Sequence, residues 1–424
     1  MQRVRSLKRL YLPGRRRSVL DPFAKRYRLT LEQFNALLAK IRKKYPGWGS
    51  DNNAHAKRSS GEDGPVSGEL RLSMLLRFLA GGSYLDVSDM HLGAGAEGGF
   101  YAFINDTMDK VLEVESFLFD GCPGNKDFDY VANLKHLLKD GRLLGEVMSG
   151  FNTAKFGEHC PGEHIPGGIG AMDGWAAKIR CPSFTVDNVT NQNVYFNRKD
   201  FYALAVQAIC DSRLVFLHCN PTAAGAVHDS QAWKQGPLAR AFRALKLETD
   251  GVAINGQRAI LFVDDAYGCD EIKICRVPGR KLPCAPDAFN FLHSILRSTI
   301  ERAFGVLMSR WGILLRPLKC SLARARKTIQ CCMLLHNICI RSGADSSEDR
   351  RRYASGSFNK GEALKGDNDT TALDVLVVAE KQNDCYKREE WERPRRWGCN
   401  SSIRDHFIAD IKDKGLKRPK PCSR

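Results

Sequence analysis

Ile260-Leu261-Phe262-Val263-Asp264-Asp265 is four apolar residues running without a break into two carboxylates. A short continuous apolar run predicts a strand buried on both faces, as at the centre of an α/β sheet. A carboxylate at the carboxyl end of such a strand lies where α/β sheets build their sites. Taken alone, the same residue also suits the start of a turn.

Working outward, the chain between Pro166 and Ile340 reads as mixed α/β. Ile169–Ile179 predicts a strand that carries Asp173, although Asp-Gly is also a frequent turn pair. Tyr202–Cys210 and Leu214–Cys219 predict a hairpin turned by Asp211-Ser212-Arg213, and a helix follows over Ser230–Leu245. Beyond the central strand, long helices are expected over Phe289–Leu315 and Thr328–Ile340. The order is thus strand, strand, strand, helix, strand, helix.

Glu301 falls on the first of these long helices. There Leu292, Ile295, Leu296, Thr299, Ile300, Ala303, Phe304, Leu307 and Trp311 form the apolar stripe. Glu301 projects roughly 130° from the centre of that stripe. It can therefore reach a site, or stand in water paired with Arg297 one turn back. Asp173, Asp264 and Glu301 together are more specific than any one of them. Hard cations such as Mg²⁺ or Mn²⁺ prefer oxygen ligands and are held by a few carboxylates plus substrate phosphate. A pair of such ions suits in-line phosphodiester cleavage, in which attacking and leaving oxygens both carry negative charge.

The remaining chain divides by composition. Residues 1–68 form a basic arm with one helix over 30–44 and a polar linker from Gly49 to Gly68. Residues 69–150 are helical, with segments at Leu70–Ala80, at Tyr84–Leu92 and around Phe100, Phe103, Ile104, Met108 and Val111. That spacing is compatible with a DNA-binding helix-turn-helix unit or with any small helical bundle. After Arg341 the chain is polar, with disorder expected to about Asp369 and a short helix over Ile403–Lys414.

The 424 residues carry a net charge of +17, which favours a polyanionic partner such as nucleic acid. Fifteen scattered cysteines without an apolar leader point to reduced thiols in an intracellular compartment. No apolar run is long enough to span a bilayer. The basic opening segment, with Arg15-Arg16-Arg17, and Lys417-Arg418-Pro419-Lys420 in the tail fit nuclear import or a DNA-backbone arm. A mitochondrial presequence shares the opening composition; the nuclear reading agrees better with the rest of the chain. His159, Cys160 and His164 lack a second ligand pair for zinc, and Cys331, Cys332, His336 and Cys339 have core-like helical spacing.

Seven motifs in order then carry a family resemblance. They are Gly170-Ala-Met-Asp173-Gly, Asn197-Arg-Lys-Asp-Phe-Tyr202, Gln207-Ala-Ile-Cys-Asp211, Gly225-Ala-Val-His-Asp229-Ser, Asp264-Asp-Ala-Tyr267, Phe289-Asn290 through Ile300-Glu301-Arg-Ala-Phe-Gly305, and Leu335-His-Asn-Ile-Cys339. The segment resembles the DDE endonuclease domain of PIF/Harbinger transposases and the nucleases derived from them. The resemblance implies an RNase H-like domain over 165–340 and a tail over 341–424. It assigns catalysis and metal binding to Asp173, Asp264 and Glu301, with Asp229 as a secondary candidate. Asp264 matches the motif, whereas Asp265 falls where a small polar residue is usual.

The activity so implied is metal-dependent cleavage and strand transfer at transposon DNA, using two Mg²⁺ or Mn²⁺ ions. The alternative is a host-adopted DNA-binding or scaffold protein that keeps the fold but cuts little. An RNase H-like exonuclease fits the fold but not the seven ordered motifs. A separate Myb-like protein that reads DNA sequence, and a homo-oligomeric state, belong to the same expectation. Three positions depart from the pattern: Trp175 and Ala176 stand where Thr and often His are usual, and Gly268 replaces a frequent Pro.

Overall fold

Ile260, Leu261 and Phe262 do form a strand, and all three are fully buried in the computed structural model. The structure describes residues 22–49, 66–90, 97–156, 159–341 and 402–419. Its sheet is built from β1 (Gly168–Lys178), β2 (Ala203–Cys210) and β3 (Phe216–Ala224), joined antiparallel in sequence order. A small separate hairpin pairs β4 (Ala253–Ile254) with β5 (Gln257–Arg258). The central strand, β6 (Ile260–Phe262), lies on the other side of β1 and runs parallel to it, with β7 (Lys273–Ile274) parallel beyond. The five-stranded order is β3-β2-β1-β6-β7.

The parallel β1–β6 pair positions the site. Ala171 stands opposite Phe262, so Asp173, mid-way along β1, and Asp264, just past the end of β6, stand at the same level, each two residues further on. β6 ends there, while β1 runs on beside β2 to Lys178, so Asp264 flanks the exposed side of β1 at the level of Asp173. β2, buried along its whole length, backs this pair.

In chain order the helices are α1 (Pro22–Tyr27), α2 (Leu31–Lys44), α3 (Gly68–Leu79), α4 (Tyr84–Met90), α5 (Glu97–Val114), α6 (Tyr130–Asp140) and α7 (Arg142–Thr153). After β3 come α8 (Asp229–Gln235), α9 (Pro237–Ala244) and α10 (Leu247–Asp250), then α11 (Cys284–Arg310), α12 (Leu322–Arg341) and α13 (Ser402–Asp413). α2 starts where Thr30 and Gln33 cap each other's backbone N–H, which satisfies two donors the first turn leaves free. α11 packs on β1 and β2, and α12 packs on β3.

Several boundaries differ from the sequence expectation, each for a local reason. The helix expected over Ser230–Leu245 is two, because Gly236 is extended and Pro237, lacking an N–H, opens α9. The long helix begins at Cys284 and ends at Arg310, followed by a 3₁₀ turn over Gly312–Leu315. β3 runs on to Ala224 through Pro221, which is tolerated because β3 is an edge strand.

The helices α3, α4 and α5 fall where helices were expected, with residues 91–96 outside the described residues. Their apolar stripes are spent on each other and on α12. Phe78 meets Phe100 edge-on, Thr328 of α12 bonds the Met108 sulfur, and Lys327 pairs with Asp109 at 2.6 Å. One continuous apolar cluster runs from Phe23 through the sheet to Ile411.

The segment expected to be disordered, Arg341 to about Asp369, lies outside the described residues except for Arg341 itself, as do residues 1–21 with Arg15-Arg16-Arg17, most of the linker, and Lys420. Among the described residues every cysteine is a free thiol. Among them, too, no helix is long and apolar enough to cross a membrane.

Candidate active site

Successive residues of a strand face opposite sides of the sheet. Trp175 meets Phe304 of α11 with ring centres 5.9 Å apart, so Asp173, two residues before it, also faces α11. Asp173 Oδ1 accepts its neighbour's Gly174 N–H at 2.8 Å, and Oδ2 accepts from Arg297 Nη1 at 3.4 Å. The other arm of the same guanidinium, Nη2, donates to Glu301 Oε1 at 2.7 Å. Arg297 and Glu301 are one helical turn apart, so the helix places them on one face.

The expectation for Glu301 left open a solvated pair with Arg297. The pair is there, but Arg297 is only 7% exposed and reaches a second carboxylate on β1. Asp264 follows buried Val263 and opens the turn Asp265–Tyr267. Its neighbour Asp265 is exposed and ion-paired with Arg276 at 2.9 Å.

The electrostatics follow from this crowding. Burial pushes the Asp173 carboxyl up to about 7; Asp264 and Glu301 add to the rise, while Arg297 and the Gly174 N–H oppose it. For Arg297, burial alone would lower the pKa. Asp173, Glu301 and Asp264 outweigh that and raise it above its ordinary value, so the guanidinium stays charged.

Asp173 and Glu301 thus meet at a single buried cation, with Asp264 within its electrostatic reach. Among the described residues, no three Asp, Glu, His or Cys side chains stand close enough to hold a metal ion as they are arranged. The donor set nevertheless fits Mg²⁺ or Mn²⁺ in kind: three carboxylates whose negative charge requires a cation and has one.

Asp229, the first residue of α8, lies behind β1 rather than among these groups. Its Oδ1 accepts from Gln207 Nε2 at 3.2 Å, and Gln207 Oε1 accepts from the buried Tyr267 hydroxyl at 2.6 Å. A side chain at Gly174 would run into Asp229. Gln207, Tyr267 and Arg297 were given no site role from sequence. The signals for Gln207 were its place as a lone polar residue inside the apolar run Ala203–Cys210 and at the head of the motif Gln207-Ala-Ile-Cys-Asp211.

Of the departures, Trp175 packs on α11, and Gly268 has φ 73, a conformation closed to the proline usual in the resembled family.

Residues 172–337 match the family model of the DDE superfamily endonucleases. That span opens one residue before Asp173 and closes within α12, so it contains all three carboxylates. Over that span the chain is similar to the DDE superfamily endonucleases, in line with its ordered motifs. A bovine relative titled "Putative nuclease HARBI1" is 26% identical over 186 residues, which is 43% of this chain and 48% of the relative. The chain therefore spans about half the length of the curated relative it matches. No solved structure matches the chain.

Proposed function

We propose that this protein is a divalent-metal-dependent DNA endonuclease of the DDE type, with Asp173, Asp264 and Glu301 as its catalytic, metal-binding residues. The observation that carries the reading is that Asp173 of β1 and Glu301 of α11 share one buried guanidinium, with Asp264 level with Asp173 beside the parallel strand and within electrostatic reach. The sheet order β3-β2-β1-β6-β7, with three antiparallel strands followed by a parallel pair, supports an RNase H-like domain.

Two Mg²⁺ or Mn²⁺ ions bound there would supply an activated water and charge relief at the leaving oxygen. The chain's own part is positioning. Asp173 on β1 stands level with Asp264 just past β6, and Glu301 on α11 shares Arg297 with Asp173. The Trp175–Phe304 contact sets the spacing between strand and helix. Gln207 and Asp229 hold the back of β1 at Gly174, one residue from Asp173.

Strand transfer at transposon ends, a nuclear location, a helix-turn-helix role for α3–α5, a Myb-like partner and a homo-oligomeric state belong to this same reading. They rest on the ordered motifs and the net charge of +17. The second reading is a host-adopted DNA-binding or scaffold protein with little cleavage activity. One observation favours it: Arg297 bonds two of the three carboxylates.

Cleavage separates the two. Purified protein should nick or cut DNA with Mg²⁺ or Mn²⁺, and Asp264→Asn should abolish this while the circular dichroism spectrum stays unchanged. Equal activity in Asp264→Asn would sink the endonuclease assignment.

A further inference from the structure

An ordinary ion pair between residues one helical turn apart is a solvated surface feature of small effect. The Arg297 pair differs in two respects. Its guanidinium is buried, and it crosses from helix to strand, bonding Glu301 on α11 and Asp173 on β1 at once. Asp264 lies within electrostatic reach of the same group. One unit of positive charge therefore serves three carboxylates.

We propose that Arg297 is a resident counter-ion of the carboxylate cluster, and that divalent metal and the Arg297 bonds to Asp173 and Glu301 exclude one another. The proposal rests on the metal-dependent reading given above. Three physical steps lead to it. First, Asp173 Oδ2 and Glu301 Oε1 both accept hydrogen bonds from the guanidinium, so those oxygens are committed while it stays. Second, a divalent ion among these carboxylates would sit close to a guanidinium that cannot shed its proton, and like charges at such separations repel strongly away from bulk water. Third, a long arginine stem can re-aim its head without moving the helix that carries it.

Metal loading is then an exchange of cations. The metal-free protein keeps its carboxylates partly neutralised and its fold intact, and binding metal requires the guanidinium to withdraw. A purely structural arginine leads to the opposite expectation, since its removal would loosen the site and weaken metal binding. The direction of change is therefore diagnostic.

Mn²⁺ binding to the full chain provides the test, followed by the paramagnetic resonance of free Mn²⁺ and by the metal-induced rise in melting temperature. Neither readout depends on cleavage. Arg297→Gln removes the charge and should lower the Mn²⁺ concentration for half-saturation by about tenfold, while lowering the melting temperature of the metal-free protein. Arg297→Lys keeps a charge but has no second arm to bridge both carboxylates, and should tighten binding by only about threefold.

An unchanged or higher half-saturation in Arg297→Gln overturns the proposal. Should that variant fail to fold, Arg297→Lys decides alone: about threefold tighter binding supports the exchange, and equal or weaker binding rejects it. Asp264→Asn separates the two levels of the argument. If it leaves Mn²⁺ binding untouched, the carboxylate metal site fails and the exchange fails with it. If it removes binding while the Arg297 variants do not tighten it, the exchange alone is wrong.

Discussion

Gly174 has no side chain because β1 has no room for one. A Cβ there would strike Asp229 Oδ1 and come within 3.0 Å of Gln207 Nε2. Gly174→Ala should push Asp229 from its Gln207 bond and cost about 1–3 kcal/mol of stability, as overpacking typically does. Denaturant unfolding measures the first effect. Cleavage by the same variant should fall further than its stability explains, because the displaced backbone carries Asp173; full activity would show that Asp229 and Gln207 do not position the site. At this scale the sequence was partly readable. Four apolar residues lead into the Asp264-Asp265 pair, but only the family motif chose between them; Asp265 is paired with Arg276. The Asp173-Gly174 pair also allowed a turn, and only close approach of α8 to the strand explains the glycine. Arg297 was legible as a neighbour of Glu301 and nothing more. Its burial and its second bond depend on β1, which lies 124 residues away along the chain.

Between elements, the instructive case is α13. Its apolar stripe was evident from spacing, and Ile403, Phe407 and Ile411 are buried. Its partner was not evident, since stripe position says nothing about what covers it. The structure lays α13 on α11, the helix that carries Glu301, and ties its start to the bend before β7 through bonds from the Ser402 hydroxyl to Glu271. Ile411→Ala should therefore cost about 2–5 kcal/mol, the usual range for emptying a fully buried isoleucine site. Denaturant melts check the loss, and hydrogen exchange should show weaker protection on α11 as well as on α13. Loss confined to α13 would mean that it decorates α11 without bracing it. The α8–α9 break carries the opposite lesson. Gly236-Pro237 is a breaker signal in plain view, and the helical periodicity around it outweighed the signal in the sequence reading.

The whole molecule responds to pH and salt through charge, and the two responses have different origins. His336 is fully buried between Leu214 and Phe216, and burial together with nearby Arg310 pushes its pKa down to about 3. The unfolded chain binds this proton as pH falls through about 6.5, whereas the folded chain does not until about 3. Its contribution is thus fully present above about 6.5 and is lost at about 1.4 kcal/mol per unit as pH drops below that. Asp173 has a raised pKa and acts in the opposite sense, so the difference between variants is the clean measurement. His336→Gln should flatten the stability slope between pH 6 and pH 4 by about that amount. Salt dependence comes instead from surface cations, which are numerous in a chain of net charge +17. Arg280 and Lys281 are exposed in the segment that leaves β7, parallel to β6, and so emerge at the same sheet end as Asp264. Phosphates near the scissile bond would meet them there. The logarithm of DNA affinity should fall linearly with the logarithm of salt concentration, with a slope of about −0.9 for each phosphate neutralised. Replacing both cations with Ala should reduce the steepness of that slope by about two units. Asp264→Asn should leave the slope as it was, because it removes no phosphate-contacting cation. If affinity barely changes with salt, or if the double variant keeps the full slope, DNA does not lie across this end of the sheet.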